Sequence, residues 1–503
     1  MLLDNPRTEA PLPLSDDQAA AWAMLAARLK AHGVDIEAGD TTPRTEAAGE
    51  GEVLAITGKA GSGKTVLLAR LAHGLAAAGL RSVRPDYEPK RRDARSFAVL
   101  APTNKAASVL QARGVPATTI HRIVYTPVYD PDFEEIAEWI AGERHARPAT
   151  DAMTPEALDR AKASFESHGS VASALAAAGV RGSDFITGWK RRDEPLDIAL
   201  VDEASMIEPR QLQDLSEIFG LVILFGDPAQ LAPVGERGAM VFDSLPPARR
   251  LALSRIHRQA EDSPILDLAH LLGREGLSFE AFEDAVREAA TRDPRVVIAP
   301  RADADLMCES PMLVWRNKTR LRLIAAFRAA HGIAPDALAP GEPLICDGLE
   351  LPLKRRKERI ALEAHGLIKG AQAVYLGPGA RPAYQRVRII GTGEPGVSVA
   401  SIIQIEQPDG AEPLLVSAAR MGAVFLHGAA VTIHKAQGSQ WPRVQVFAPD
   451  LWAAARAGQT EAGLPLWARL AYVAITRAER ELVWVTRAMI GRAAKPLGGA
   501  QDG

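Results

Sequence analysis

Val53-Leu54-Ala55-Ile56-Thr57-Gly58-Lys59-Ala60-Gly61-Ser62-Gly63-Lys64-Thr65 is the stretch that decides the fold. Val53 to Thr57 is a short apolar run of strand character, a glycine-rich turn follows it, and helical periodicity runs from Thr65 to Ala78. Gly58 to Thr65 satisfies the phosphate-loop pattern GxxxxGK[ST] at every defined position, in the strand–turn–helix context the pattern needs. Gly58, Gly61 and Gly63, with Ala60 and Ser62 between them, let backbone N–H groups turn inward around phosphate oxygens. The N-terminus of the following helix adds its dipole. Lys64 is placed to reach the β- and γ-phosphates of ATP, and Thr65 to ligate Mg²⁺.

Outward from this turn, short apolar strands recur at Ala98 to Ala101, Ile198 to Val201 and Leu221 to Phe225. Each ends in a polar cluster, and ligands of open α/β sheets bind beyond the carboxyl ends of the strands. The fold class is α/β, with a parallel sheet covered by helices. Ser15 to His32 reads as a helix capped by Ser15. Tyr125 to Asp197 is of mixed character and reads as an insertion, a solvated helical decoration or a functional module. A second α/β unit starts near Pro311, with a strand-like Met312 to Trp315 and a helical Thr319 to Ala330. From Gly341 to Val416 glycine, proline and short β-like runs dominate, among them Ala373 to Leu376 and Arg386 to Ile390, with a basic cluster at Lys354 to Arg359. The α/β pattern returns at Ala429 to Ile433, Val444 to Phe447 and Glu481 to Val485. This predicts domains at residues 1–250 and 251–503, with insertions at about 125–197 and 341–416. The tail, Ala494 to Gly503, reads as disordered.

Composition narrows the class. The 503 residues are enough for two to four domains. A net charge of −3 excludes a histone-like binder with a broad basic surface, yet leaves room for basic residues lining one channel. The cysteines, Cys308 and Cys346, make neither a disulfide framework nor a zinc spacing, which suggests a reducing compartment. Met1 to Pro13 lacks the layout of a signal peptide, and no apolar run approaches the roughly 20 residues that span a bilayer. The expectation is a cytoplasmic chain with no membrane partner. Asp347, Glu350 and Lys354 do not have the spacing of a common nuclease motif and read as a loop.

Three further signals concern ATP chemistry. Ile198 to Val201 ends in Asp202-Glu203; alone such a pair is usually a loop, but with a phosphate loop Asp202 can hold Mg²⁺ and Glu203 can polarise the attacking water. Gly226 to Gly235 follows another strand and carries Gln230, an amide able to sense a γ-phosphate or orient water; by itself the segment is equally a plain turn. Phosphoryl transfer also needs cations as charge develops. Arg258 and Arg477 stand out, although an arginine on a helix is ordinarily a solvated charge.

Taken in order, these motifs resemble a superfamily 1 helicase of the RecD/Dda type, the 5′-to-3′ branch. Leu14-Ser15-Asp16-Asp17-Gln18 is similar to that family's Q motif, which implies that Gln18 reads the adenine. Gly58 to Thr65 resembles motif I, Ala101 to Ala107 motif Ia, and Thr118-Thr119-Ile120-His121-Arg122 the segment after it. Asp202-Glu203-Ala204-Ser205 resembles motif II, Gly226 to Gly235 motif III, Ile256-His257-Arg258-Gln259 motif IV, Val431 to Ser439 motif V, and Tyr472 to Ala478 motif VI. The series runs from Gln18 to about Val485, and its order is far more specific than any single motif.

The resemblance implies two RecA-like phosphate-loop domains, with Arg258 and Arg477 as arginine fingers from the second and Gln230 as the link between nucleotide state and strand contact. It implies strand contacts at Thr103, Asn104, His121, Thr432, His434 and Lys435, whose donors suit phosphates, although packing at loop edges is the bland reading of both histidines. Asn317 and Arg320 resemble the family's NxxR strand-contacting segment. The first insertion would hold a duplex-splitting pin around Phe185 to Trp189, and the β-rich stretch would be an SH3-like insertion of the second domain. The implied function is a monomeric ATP-dependent motor acting on single-stranded and forked DNA. Its rivals are a DNA-stimulated translocase or remodeller that does not separate strands, and a non-motor phosphate-loop switch or metabolite kinase.

Overall fold

The computed structural model describes residues 14–42, 51–83, 95–129, 132–169, 171–180, 186–191, 194–233, 240–255, 263–350, 362–363, 365–391, 395–408, 411–461 and 463–497. The chain divides into two compact units: Met1–Ala101, Leu110–Thr118 and Asp193–Ser263 form the first, and the remainder the second.

The first unit is organised by a sheet in the order Arg250–Leu253, Glu52–Gly58, Phe219–Gly226, Leu196–Val201, Ser96–Ala101, Arg81–Ser82, with Ala117–Thr119 paired to Ser96–Ala101. The strands along this order are parallel. Leu196–Val201 and Ser96–Ala101 are buried along their whole length, as expected of parallel strands covered on both faces. Helix Lys64–Ala77 packs Leu67, Leu68, Leu71, Ala72 and Leu75 inward. Each fully buried leucine stabilises by about 1.5–3 kcal/mol, which fixes the helix whose first turn carries the phosphate loop. Helix Asp16–Ala31 opens with a capping box between Ser15 and Gln18.

The second unit contains another parallel sheet, in the order Val296–Ala299, Ala478–Val485, Trp441–Phe447, Met312–Val314, Ala430–Thr432. Between Met312–Val314 and Ala430–Thr432 the chain inserts a six-stranded sheet of Pro343–Glu350, Gln372–Pro378, Tyr384–Ile389, Val397–Ile405, Leu414–Ala418 and Gly422–His427. Pairing of Tyr384–Ile389 with Val397–Ile405 closes five of these strands into a small barrel, and Leu414–Ala418 pairs with Val397–Ile405 outside the ring. Its core includes Leu344, Cys346, Val387, Ile403 and Phe425. The barrel runs past the Val416 end expected from composition, because Gly422–His427 pairs antiparallel with Pro343–Glu350. Its ends meet where the Gly428 N–H donates to the Pro343 carbonyl at 2.8 Å.

The insertion before Asp202 forms a two-stranded antiparallel ribbon, Tyr125–Tyr129 with Ile186–Arg191, and helices Asp132–Ile140, Pro155–His168 and Val171–Ala177. Those helices share a core of Ile136, Ile140, Leu158, Ala161 and Leu175, against which Met421 of the barrel packs. Arg420 pairs with Glu143, Arg122 with Glu363, and the Val171 N–H donates to the Arg420 carbonyl at 3.0 Å. Phe185 and the basic cluster Lys354 to Arg359 lie outside the described residues.

The expected α/β class with two parallel sheets and a small β insertion is what the chain adopts. The start of the tail read as disordered is held instead: the Ala494 and Lys495 N–H groups donate to Asp305 at 2.8 and 3.1 Å, while residues 498–503 lie outside the described residues. Among the described residues, no helix is long and apolar enough to cross a membrane.

Candidate nucleotide site and strand-contact motifs

The phosphate loop needs its glycines for two different reasons. Gly61 and Gly63 sit at φ +84° and +80°, the left-handed region that costs a residue with a Cβ. At Gly58 a Cβ would lie 2.4 Å from Ser62 Oγ and 3.0 Å from the Leu253 carbonyl oxygen. Lys64 Nζ donates to the Gly58 and Lys59 carbonyls at 2.5 and 3.1 Å, so the ammonium lies along the loop. Ser62 Oγ is buried with no hydrogen-bond partner among the described residues. Gln18 is 2% exposed, and its Nε2 donates to the Ser62 carbonyl at 3.4 Å, which places the Q-motif amide against this loop.

The acidic pair follows the buried strand Leu196–Val201. The Asp202 N–H donates to the Leu100 carbonyl at 2.9 Å, and the Glu203 N–H to Asp202 Oδ1 at 3.0 Å. Surrounding protein, and next the charge of Glu203, push the Asp202 carboxyl up to about 7 against the hydrogen bond from the Glu203 N–H and the pull of Lys64 and Arg113. Asp202 nevertheless keeps part of its surface open to solvent. Such a carboxyl, with the Thr65 hydroxyl at the head of the phosphate-loop helix, fits a divalent cation, which would favour its ionised form. Glu203 itself sits at φ 51°, ψ 42°, a left-handed conformation costing of order 1–3 kcal/mol, and strain of this kind concentrates at functional sites.

The Ala229 N–H donates to Asp227 Oδ1 at 2.9 Å, a turn that presents Gln230. Gln230 is 5% exposed, and its Oε1 accepts from Ser205 Oγ at 3.2 Å. Arg258 lies outside the described residues, as do Val234 and Gly235.

In the second unit the expected strand-contact motifs come together. Thr103 caps helix Asn104–Ala112, its Oγ1 accepting from the Ala106 N–H at 3.1 Å. Gly438, at φ +72°, is seated so closely that a Cβ would lie 3.1 Å from Ala106 Cβ and 3.4 Å from Thr103 Oγ1. Burial pulls the Lys105 ammonium below its ordinary value. Thr432 heads helix Ile433–Ala436, where burial also lowers the pKa of His434 and Lys435 is exposed. The His121 ring lies 5.2 Å from that of Tyr125.

Two predicted residues are held inside the protein. Arg477, 5% exposed, donates from Nε to the Val473 carbonyl at 3.0 Å and from its terminal nitrogens to the Ser439 carbonyl and Thr476 Oγ1, each at 3.1 Å. It thereby ties motif VI to motif V. Arg320, also 5% exposed, bonds Asn317 Oδ1 at 2.7 Å and Glu406 Oε2 at 2.6 Å, whereas Asn317 itself is exposed. Sequence reasoning missed Asp450. This fully buried carboxylate accepts from the Trp315 and Arg316 N–H groups at 2.9 and 2.8 Å and from Thr319 Oγ1 at 2.8 Å. It organises the first turn of helix Asn317–Ala330, and its only sequence signal is a position just past strand Trp441–Phe447.

A phosphate loop, an acidic pair and an amide loop at the ends of adjacent parallel strands define a nucleotide-hydrolysing site of the RecA-like class. The family model for an AAA domain matches residues 42–292, and that for the UvrD-like helicase C-terminal domain matches 427–485. Both matches agree with the ordered motifs read from the sequence: a nucleotide-hydrolysing first part and a helicase-like C-terminal part. No curated protein matches it in sequence. Among solved structures it is similar to the Pif1 helicase from Candida albicans, at 18% identity over 95% of each chain with a TM-score of 0.47. It is also similar to Bacteroides Pif1 bound to ssDNA, at 14% identity over 94% of this chain and 92% of that one, TM-score 0.46. A structure of two coordinating Pif1 helicases at forked dsDNA gives 16% identity over 95% and 94%, TM-score 0.46.

Proposed function

We propose that the chain moves along single-stranded DNA from 5′ to 3′ and uses ATP hydrolysis to open a forked duplex. The observation that carries this reading is the seating of Gly438 of motif V against Thr103 and Ala106 of motif Ia, beside a motif VI arginine bonded to Ser439. Residues suited to gripping a phosphate backbone thus lie beside a residue suited to nucleotide chemistry. Opposite grips could then follow nucleotide state.

In this mechanism the phosphate-loop amides and Lys64 hold the triphosphate. Thr65 and Asp202 would hold Mg²⁺, which would supply positive charge against the phosphate oxygens. Glu203 takes the proton of the attacking water, Gln230 senses the γ-phosphate, and Arg258 and Arg477 supply positive charge as the bond breaks. Thr103, Asn104, His121, Asn317, Thr432, His434 and Lys435 contact the strand without reading bases. Arg320 acts through Asn317, whose amide oxygen it holds. Backbone contacts of this kind make binding tolerant of sequence and sensitive to salt.

The test is steady-state ATPase with and without single-stranded DNA, then unwinding of forks with a 5′ or a 3′ tail. Stimulation with unwinding of the 5′-tailed fork is expected. Stimulation without strand separation on either fork would replace this reading with that of a translocase or remodeller.

A further inference from the structure

Nothing in the chemistry assigned so far uses Ser205, and its surroundings are unusual for a serine. It is fully buried, in the turn that follows Glu203. That turn has a cause. Glu203 adopts the left-handed conformation, and Ala204–Met206 then tightens into a 3₁₀ turn closed by the Met206 N–H on the Glu203 carbonyl at 3.0 Å. The reversal carries Ser205 back into the protein, where its Oγ donates to Gln230 Oε1 at 3.2 Å. Gln230 comes from a different loop, at the end of the neighbouring parallel strand, and its backbone is fixed by the Asp227 turn.

The geometry points to Ser205 as a positioning residue for hydrolysis: it fixes the rotamer and orientation of the Gln230 side-chain amide relative to Glu203. An amide can turn end for end, exchanging acceptor for donor. Here the Ser205 hydroxyl donates to Oε1, which holds the side chain in one rotamer with the Nε2 hydrogens turned away from Ser205. Because Ser205 lies in the same 3₁₀ turn that Glu203 caps, the water-activating acid and the γ-phosphate sensor share one frame. A buried serine whose hydroxyl meets a nearby acceptor is often only satisfied packing. Here the acceptor belongs to the next nucleotide-facing loop, so the bond joins two loops that must act together. The inference rests on the role given to Gln230 above.

The test is a double-mutant cycle on the full chain with Ser205→Ala, Gln230→Ala and the double variant, read as DNA-stimulated kcat and KM for ATP. Loss of one hydrogen bond predicts a kcat roughly 3- to 10-fold lower in Ser205→Ala, with KM changed less. In the Gln230→Ala background the same substitution should have no further effect. Equal losses in both backgrounds, or no loss in the native one, would overturn the positioning role. A silent Gln230→Ala would instead sink the role of the glutamine, a distinguishable failure. Should Ser205→Ala not fold, Ser205→Cys keeps the side-chain size, weakens the bond, and enters the same cycle.

Discussion

The positions of Lys64, Asp202, Glu203 and Gln230 just past strands of the first sheet were legible because they follow from short-range order: a strand, a turn and a residue type at fixed spacing. The structure adds what spacing cannot carry, the strained backbone of Glu203 and the raised carboxyl of Asp202. Arg477 is the instructive residue. The motif series marks it as a cation for the γ-phosphate, yet its guanidinium is bonded to Val473, Ser439 and Thr476. Arg477→Ala should therefore do more than slow hydrolysis. Removal of those charge-assisted bonds should cost about 1.5–3 kcal/mol of stability. It should also weaken single-strand binding through the loosened Ser439 segment. Lys64→Ala, by contrast, should abolish turnover and leave strand affinity near native. Strand titrations followed by fluorescence anisotropy separate the two, and unchanged strand affinity in Arg477→Ala would confine the arginine to catalysis.

Strands and helices with strong periodicity emerged where the sequence placed them: helix Asp16–Ala31, strand Glu52–Gly58 and strand Trp441–Phe447 among them. Arg250–Leu253 and Val296–Ala299 were not legible, since each is a short edge strand recognisable only from its partner, Glu52–Gly58 or Ala478–Val485. Asp450 was invisible for the same reason, because its partners, two backbone amides and a threonine hydroxyl, lie 131 to 135 positions away. Asp450→Ala leaves the Trp315 and Arg316 N–H groups without their acceptor, an expected loss of about 1–3 kcal/mol for each group that stays buried. Urea unfolding of the variant measures it. A midpoint equal to that of the native protein would mean that water takes over both amides.

Across the molecule the accessory modules join through charged and buried groups. Glu342, at the mouth of the barrel, is fully buried against Arg328, accepts from the Ala339 N–H and pairs with His427 at 3.0 Å. Burial holds His427 below the ordinary imidazole value, with Arg328 and Arg320 acting in the same sense and Glu342 opposing. A histidine depressed in the folded state stays neutral there while the unfolded chain takes up a proton. Stability is therefore full above the unfolded value of about 6.5 and falls as pH drops below it toward the folded value. Thermal melts from pH 8 to 5 should show this decline, and His427→Gln should flatten the part of it that begins near 6.5. A native-like slope in that variant would assign the acid sensitivity to other groups.

The hydrogen bond between Gly428 and Pro343 brings the two ends of the barrel together at a single point of the second sheet. Met312–Val314 and Ala430–Thr432, which flank the insertion, pair directly with each other. The barrel is in that sense a removable cartridge. A chain in which Pro343–His427 is replaced by a short glycine bridge should still form the parallel sheet and hydrolyse ATP, at some cost in stability, since Glu342 keeps Arg328 but loses His427 and Arg320 loses Glu406. What it should lose is the anchorage that Arg420 and Met421 offer to the helical insertion. Engine and attachment can thus be exchanged separately, and the length of the loop that joins them is free to vary.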